Sequence, residues 1–267
     1  MKAWIVKDIA PIKTQARWDC ELADEVLFGM PIEVLGHERG DWYKIRTHYR
    51  YEGFVHSSHF IAEDLTSEVW LETKKMMVIK DYADVLMEPK VQGAHVQGLP
   101  RGAWIGVLDE LIEERWQKVV LPNGIEGFTR IENLIEMPEV EDEEKMRKSL
   151  VEMARLYEGA QYRWGGKTCM GLDCSGLVGM AYMLCGALIY RDAHIVEGFP
   201  MKEIDKKDIR MGDLMFFPGH VAMYIEDGRY IHSSSSLNGV GYNSLNPEAA
   251  DYNEYLDKNF EQAASFF

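Results

Sequence analysis

The sequence predicts an α+β protein in which two small all-β modules precede a mixed domain. Three observations support this: a repeat in the first half, a change of hydrophobic spacing near residue 146, and turn signals between short apolar runs in the second half. The chain has 267 residues, of which 46% are hydrophobic and 27% charged, which is typical of globular proteins. This length allows two or three domains, each with a buried core.

The repeat aligns residues 27–61 with residues 100–135 at an offset of 74 residues. Trp42 lies ten residues before the segment Glu-Gly-Phe that begins at Glu52, and Trp116 lies ten residues before the same segment at Glu126. Each copy contains short β-type runs separated by Gly, Asn and Asp. A period of this length is too long for one solenoid unit and fits two copies of a small domain. We therefore expect two small β-barrels, in residues 1–66 and 67–138.

A mixed third domain is predicted over residues 145–267. The segment PEVEDEEK, which starts at Pro138, is acidic and is expected to form a linker and a helix start. From Met146 onward the apolar residues recur at helical spacing, up to a stop at Gly159.

The charge and the cysteine pattern exclude several classes of protein. The chain contains 44 acidic and 29 basic residues, a formal net charge of −15, which disfavours binding to nucleic acid, to anionic membranes and to anionic wall polymers. Four cysteines without a C-x-x-C pair form neither a disulfide framework nor a zinc site. The start, MKAWIVKDIAPIK, lacks the apolar segment of a signal peptide. We expect a cytoplasmic protein with no membrane or nucleic-acid partner.

One cysteine stands at a predicted helix start. The segment Asp173-Cys174-Ser175-Gly176 opens an apolar run with helical spacing, which ends at Gly186. Asp173 is the expected N-cap, and Cys174 lies in the first turn. The free backbone N–H groups and the helix dipole are expected to lower the thiol pKa from about 8.5 and to stabilise an oxyanion. Taken alone, a cysteine in this position is more often a packing residue than a nucleophile.

Two histidines flank a predicted hairpin. A three-residue loop over residues 226–228 pairs Ile225 with Arg229 and places His220 and His232 on the same face of the sheet. A two-residue Asp-Gly loop would shift the register by one and send the two rings to opposite faces. We favour the three-residue loop because it brings both histidines to one site, although both loops fit the sequence.

These patterns together resemble known families. The second half contains YRWGG, DCSG, GDLMFF, HVAMYI and YIH in this order, and it resembles the NlpC/p60 cysteine peptidases, a circularly rearranged branch of the papain-like fold. The modules of the first half resemble bacterial SH3 domains. The resemblance implies that Cys174 is the nucleophile, His220 its general base and His232 the residue that orients the base. It also implies that the Tyr162 hydroxyl contributes to the oxyanion hole. Such an acyl transfer requires no metal and no organic cofactor.

The order of modules is similar to that of the γ-D-glutamyl-L-diamino acid endopeptidases within this family. This resemblance implies cleavage after D-glutamate in small murein peptides that are released for recycling and that keep a free N-terminal L-alanine, with the first module narrowing the cleft. A pocket for the terminal ammonium requires buried carboxylates. The candidate substrate-binding residues are Asp173 and Glu21 for the ammonium, Tyr51 as a cleft wall, Ser175 for the substrate carboxylate, and Asp192 for the N-terminal portion.

Each of these candidates could instead have a role without substrate contact, such as a helix cap for Asp173 or a solvated surface charge for Glu21. Two other functions compete with the main prediction: an exported hydrolase that acts on intact wall, and a wall-peptide binding protein with an inactive peptidase domain. We expect a monomer.

Overall fold

The computed structural model describes all 267 residues, and the chain divides into two compact units, Met1–Met137 and Pro138–Phe267. The boundary lies one residue before the predicted end of the second β module at residue 138. The predicted α+β class, with a β-rich first half and a mixed second half, is confirmed.

The N-terminal unit contains two seven-stranded antiparallel sheets. The first sheet consists of β1 (Lys2–Ile5), β2 (Ile9–Lys13), β3 (Leu22–Leu27), β4 (Pro31–Arg39), β5 (Trp42–Thr47), β6 (Glu52–His56) and β7 (Phe60–Ala62). After the short helix α1 (Glu68–Glu72), the second consists of β8 (Lys75–Val78), β9 (Tyr82–Leu86), β10 (His95–Pro100), β11 (Trp104–Ile112), β12 (Trp116–Val120), β13 (Glu126–Arg130) and β14 (Leu134–Glu136).

The two sheets share one topology. Their strand orders are β3-β2-β6-β5-β4-β1-β7 and β10-β9-β13-β12-β11-β8-β14. Adding seven to each strand number of the first order gives the second. The sequence repeat therefore corresponds to a repeat of structure. Both sheets stay open at their terminal strands and are not closed barrels, although register shifts within β2 and β4 bend the first one.

The two sheets pack closely at Gly29. Its φ of +73° lies in the left-handed region, and a Cβ there would lie 2.0 Å from the carbonyl oxygen of Trp104. The Trp104 N–H donates to the Phe28 carbonyl oxygen at 2.9 Å, and the rings of Trp4 and Trp70 meet edge to face. Only glycine allows this approach of the two backbones.

The C-terminal unit contains helices and one six-stranded sheet. Its elements are α2 (Glu143–Arg155), β15 (Lys167–Thr168), β16 (Gly171–Leu172), α3 (Cys174–Leu184), β17 (Lys202–Ile204), β18 (Leu214–Phe217), β19 (His220–Glu226), β20 (Arg229–Ser234), β21 (Gly239–Ser244), α4 (Glu254–Lys258) and β22 (Gln262–Ser265). The order in the sheet is β17-β22-β18-β19-β20-β21, and β15 and β16 form a separate pair. None of the helices in the structure is both long and apolar enough to cross a membrane.

Helix α2 begins at Glu143, inside the acidic segment that was predicted to contain its start. The Asp142 carboxylate accepts the Lys145 N–H at 3.3 Å and caps the helix, so the predicted domain start at residue 145 falls inside the first turn. Arg147 on this helix is buried and forms an ion pair with the buried Asp213 at 2.8 Å. This pair fixes α2 to the loop that precedes β18.

The hairpin between β19 and β20 differs from the prediction in an informative way. Glu226 pairs with Arg229, so the loop has two residues, and both adopt positive φ (+51° for Asp227 and +79° for Gly228). The predicted three-residue loop is therefore wrong, because an Asp-Gly pair suits the type I′ turn. A bulge between Tyr224 and Glu226 then shifts the register back by one. The predicted register is confirmed beyond the bulge.

Candidate active site

Cys174 is the first residue of α3, as predicted. The Asp173 side chain accepts the Gly176 N–H at 2.7 Å and caps the helix, which confirms Asp173 as the N-cap. Cys174 itself is buried, with 6% of its surface exposed. The backbone N–H groups of Val221 and Ser175 lie near the sulfur and favour its charged form. Because Val221 follows His220 directly, the sulfur lies against the start of β19.

The protonation state of this thiol differs from the prediction. Burial, with a smaller contribution from the Asp173 carboxylate, raises the pKa of the Cys174 thiol to about 11. The two N–H donors oppose this shift but do not overcome it. The expected fall in the thiol pKa is therefore wrong, because the helix start is buried and desolvation disfavours the thiolate. The resting site holds a neutral thiol.

Asp173 is held by a guanidinium. Arg191 donates from Nη1 to Asp173 Oδ1 at 3.1 Å and from Nη2 to Oδ2 at 3.2 Å, and its Nη1 also donates to Ser175 Oγ at 2.6 Å. Both oxygens accept backbone N–H groups as well, from Gly165 at 2.8 Å and from Gly176. The structure thus brings Asp173 and Ser175 together beside the nucleophile, in a network that compensates the carboxylate charge. Their roles in binding substrate stay predictions.

The two predicted histidines meet in the structure. His220 Nε2 lies 2.8 Å from His232 Nδ1 across neighbouring strands. His232 Nε2 lies 3.1 Å from Asn243 Oδ1, and Asn243 Nδ2 donates to the Asp251 carbonyl oxygen at 2.9 Å. These contacts form a continuous chain of hydrogen bonds that ends at the backbone.

Both imidazoles are neutral at physiological pH. Burial, followed by the neighbouring His232 ring, lowers the pKa of His220 to about 3. Burial also lowers the pKa of His232 to about 4, although the hydrogen bond with Asn243 opposes this shift. A neutral imidazole has one bare nitrogen that accepts a proton, which is what a general base requires.

The Tyr162 hydroxyl lies close enough to Cys174 and Asp173 for both groups to affect its pKa. Burial, followed by the neighbouring acidic groups of Cys174 and Asp173, raises the pKa of the Tyr162 hydroxyl to about 12. The hydroxyl therefore stays protonated and available as a donor, as the predicted oxyanion role requires. Its backbone N–H donates to the Asn238 carbonyl oxygen at 3.2 Å, which holds the residue beside the sheet.

Asp192 lines a small, mainly apolar cavity together with Tyr190 and Ile189. Its carboxylate interacts with the Tyr190 hydroxyl, whose pKa is raised by burial and by this neighbour. The lining also contains Val178, one helical turn beyond Cys174, and Val221, whose N–H lies near the sulfur. The predicted contact of Asp192 with substrate stays a prediction.

Glu21 and Tyr51 belong to the N-terminal unit. Glu21 is exposed just before β3, and its carbonyl oxygen accepts the Thr14 N–H. Tyr51 is half-buried in the turn before β6, where its N–H donates to Thr47 Oγ1 at 2.9 Å. Their predicted roles in the cleft stay predictions.

Two polar residues of the site were missed by sequence reasoning. Asn243 lies on β21 two positions beyond Gly241, the register partner of His232, so it lies diagonally across from the histidine on the same face. The sequence signal for β21 is a weak run of Gly, Tyr and Asn. The sequence analysis assigned no role to Arg191, whose partner Asp173 lies 18 residues away. The structure contains no cluster of three or more His, Cys, Asp or Glu side chains able to hold a metal ion.

Comparison with known proteins agrees with this geometry. The chain is 36% identical over 273 residues to a protein named dipeptidyl-peptidase 6 from Lysinibacillus sphaericus, and the match covers 100% of both chains. The profile described as the NlpC/P60 family matches residues 159–257, which contain the cysteine and both histidines. The chain belongs to the NlpC/P60 family.

Further matches extend over most of the molecule. The chain is 27% identical to a Bacillus cereus protein named gamma-D-glutamyl-L-lysine dipeptidyl-peptidase, over 85% of this chain and 71% of that protein. The crystal structure of an NlpC/P60 family protein from Bacillus cereus superposes with a TM-score of 0.81 at 21% identity, and covers 100% of this chain and 99% of that one. This likeness shows a shared fold.

The bacterial SH3 profile matches residues 11–61. An SH3-like module is therefore established for the first sheet. The second sheet has the same strand order, and its SH3 identity stays a prediction. The chain thus belongs to a family of cysteine peptidases, and both of these relatives carry peptidase names.

Proposed function

We propose that the protein is a cysteine endopeptidase that cleaves the bond between the γ-carboxyl of D-glutamate and the L-diamino acid in small murein peptides. The observation that carries the proposal is the contact between His220 and His232, with the Cys174 sulfur near the backbone N–H of Val221, the residue after His220. The name of the Bacillus cereus relative supports the substrate class, and both names support the removal of dipeptides.

The chemistry begins from neutral groups. As the Cys174 sulfur attacks the γ-carbonyl carbon, its proton passes to His220, and negative charge moves onto the carbonyl oxygen. His220 then protonates the departing amine of the diamino acid, and the acyl group stays on sulfur as a thioester. A water molecule, deprotonated by His220, releases the acyl dipeptide and restores the thiol. The Tyr162 hydroxyl and the backbone N–H groups at the helix start are the donors available to the oxyanion.

The proposal includes a free amino terminus on the substrate. An enzyme that removes dipeptides recognises a terminal ammonium, and L-alanyl-γ-D-glutamate is the dipeptide that cleavage at this bond would release. Asp173 and Glu21 stay our candidates for this contact, although the Asp173 charge is already compensated by Arg191.

We further propose that the substrates are released peptides in the cytoplasm rather than intact wall. The net charge of −15 supports this, because it disfavours docking onto anionic wall polymers. A role in recycling of wall peptides follows from the same argument.

Mass spectrometry of products tests the proposal. We would incubate the protein with L-Ala-γ-D-Glu-L-Lys, with the diaminopimelate analogue, with the N-acetylated form of each peptide, and with purified sacculi. We expect L-Ala-γ-D-Glu and free diamino acid from at least one unmodified peptide and little cleavage of the acetylated forms. Release of fragments from sacculi alone would favour an exported wall hydrolase. Binding of the peptides without any product would favour the inactive binding protein.

A further inference from the structure

We propose that Asn243 is a positioning residue that sets the tautomer of both histidines and thereby makes His220 a base. This inference deepens the proposed function, because it rests on His220 accepting the thiol proton. The four groups involved are His220, His232, Asn243 and the carbonyl group of Asp251, which are joined by contacts of 2.8, 3.1 and 2.9 Å.

The hydrogen-bond chain ends at a backbone carbonyl group that is held in place by its neighbours. The Asp251 carbonyl oxygen accepts the Ser244 N–H at 2.9 Å, and the Asn253 N–H donates to the Ser244 carbonyl oxygen at 2.9 Å. These two bonds fix the carbonyl group beside the end of β21. A carbonyl oxygen only accepts hydrogen bonds, so the amide nitrogen of Asn243 is the atom that faces it. The amide oxygen consequently faces His232.

The orientation of this amide determines where the protons lie. An amide oxygen cannot donate, so His232 carries its proton on Nε2 and donates to Asn243 Oδ1. In a neutral ring the other nitrogen is bare, so His232 Nδ1 accepts the proton of His220 Nε2. His220 is then bare at Nδ1, the nitrogen that His232 does not contact.

The opposite orientation of the amide would disable the base. If the amide nitrogen of Asn243 faced His232, each ring would carry its proton on Nδ1. His220 would then present an N–H at the only nitrogen that His232 leaves open, and it would have no lone pair to accept the thiol proton. The bond to Asp251 excludes this arrangement.

The same tautomer suits the charged intermediate. When His220 takes the thiol proton, its Nε2–H already donates to the bare Nδ1 of His232. The imidazolium is therefore stabilised without movement of a second proton. Since His232 has no exposed surface, solvent does not exchange its tautomer freely.

The direct test is histidine ring NMR of the full chain, with ¹⁵N in the imidazoles, combined with steady-state kinetics on the peptide that wild type cleaves. In wild type we expect both His220 and His232 to be protonated at Nε2 and bare at Nδ1. In Asn243→Leu, which preserves size and removes both polar atoms, we expect mixed tautomers and a fall in kcat of about a hundredfold, within the range for a general base, with KM little changed.

The conservative variant distinguishes positioning from a structural role. Asn243→Asp keeps an acceptor for His232 Nε2, so we expect the wild-type tautomers and a kcat within about tenfold of wild type. Its added negative charge should also move the acidic limb of the pH–rate profile to higher pH. Asn246→Ala, an exposed asparagine of the same segment, is the matched control and should change neither measurement.

Protonation of His220 at Nδ1 in wild type would overturn the inference, as would wild-type tautomers with unchanged kcat in Asn243→Leu. The NMR measurement needs no substrate, so its result stands even if the proposed peptide is not the substrate. Conversely, the expected tautomers with no peptide turnover would overturn the proposed function and leave the tautomer assignment in place.

Discussion

Arg191 and Asp173 form a buried, bidentate ion pair, and Asp173 directly precedes the nucleophile Cys174. Two guanidinium nitrogens of Arg191 contact two carboxylate oxygens of Asp173 at 3.1 and 3.2 Å, and only 4% and 6% of the two residues are exposed. Asp173 also caps the helix that begins at Cys174. The pair therefore fixes the start of α3 in place.

The first prediction concerns stability. Arg191→Met removes the charge and leaves Asp173 buried without its cation, so the free energy of unfolding should fall by about 3–5 kcal/mol. Denaturant unfolding measures this change. Lys148→Met, an exposed position on α2, should alter it by less than about 0.5 kcal/mol. The double variant Asp173→Asn with Arg191→Met should be more stable than Arg191→Met alone. A loss of less than about 1 kcal/mol in Arg191→Met would show that the pair does not hold the helix start.

The second prediction separates the two histidines. His220→Ala should lower kcat/KM by about 10²–10⁴-fold, because it removes the group that takes the thiol proton. His232→Ala should lower kcat/KM by a smaller factor, because His220 keeps its position on β19 and loses only its hydrogen-bond partner. Steady-state kinetics with one peptide substrate gives both values. The reverse order would exchange the roles that we assign.

The third prediction concerns thiol reactivity in the free enzyme. Because burial raises the pKa of Cys174 to about 11, its alkylation by iodoacetamide should keep accelerating between pH 6 and pH 9.5. Peptide mapping by mass spectrometry follows Cys174 separately from the partly exposed Cys20, which serves as an internal reference. A rate that is already constant from about pH 5 upward would indicate a preformed thiolate–imidazolium pair and would contradict our assignment.

The fourth prediction concerns acid stability. The pKa of the buried His232 is lowered to about 4, below the ordinary value of 6.5, so the unfolded chain binds a proton in this range that the folded chain does not. The free energy of unfolding should therefore fall as pH decreases from 6.5 towards 4, by up to about 1.4 kcal/mol per pH unit for this one group. His232→Gln should show a shallower slope in denaturant melts across this range. An unchanged slope would mean that His232 does not titrate differently on folding.

Much of the fold could be predicted from the sequence, because the signals are local and repeated. The Trp and Glu-Gly-Phe spacing in residues 27–61 and 100–135 corresponds to two sheets of the same strand order. The Asp173 cap was predictable because an acidic residue before an apolar helical run has one common role.

The hairpin between β19 and β20 contains one feature that local sequence patterns predict and one that they do not. The Asp-Gly pair at residues 227–228 takes the two-residue turn that its chemistry favours, and a bulge near Ile225 then restores the register that brings His220 and His232 together. The sequence carries no local signal for that bulge, because it is set by the pairing of β19 with its neighbours.

The electrostatics of the site were not predictable for a different reason. The direction of the thiol pKa depends on whether burial or the helix N–H groups dominate, and burial is a property of the whole domain. Likewise, the partners Arg191 with Asp173 and Asn243 with His232 are 18 and 11 residues apart and meet only in the folded chain.

The most direct test of our central claim is the turnover of L-Ala-γ-D-Glu-L-Lys, or of its diaminopimelate analogue, by the Cys174→Ala variant. Product formation, measured by mass spectrometry, should fall to the uncatalysed background, because the sulfur that forms the thioester is gone. Cys20→Ala, in the N-terminal unit, should cleave the peptide at the wild-type rate. Turnover by Cys174→Ala at a rate comparable to wild type would contradict the account.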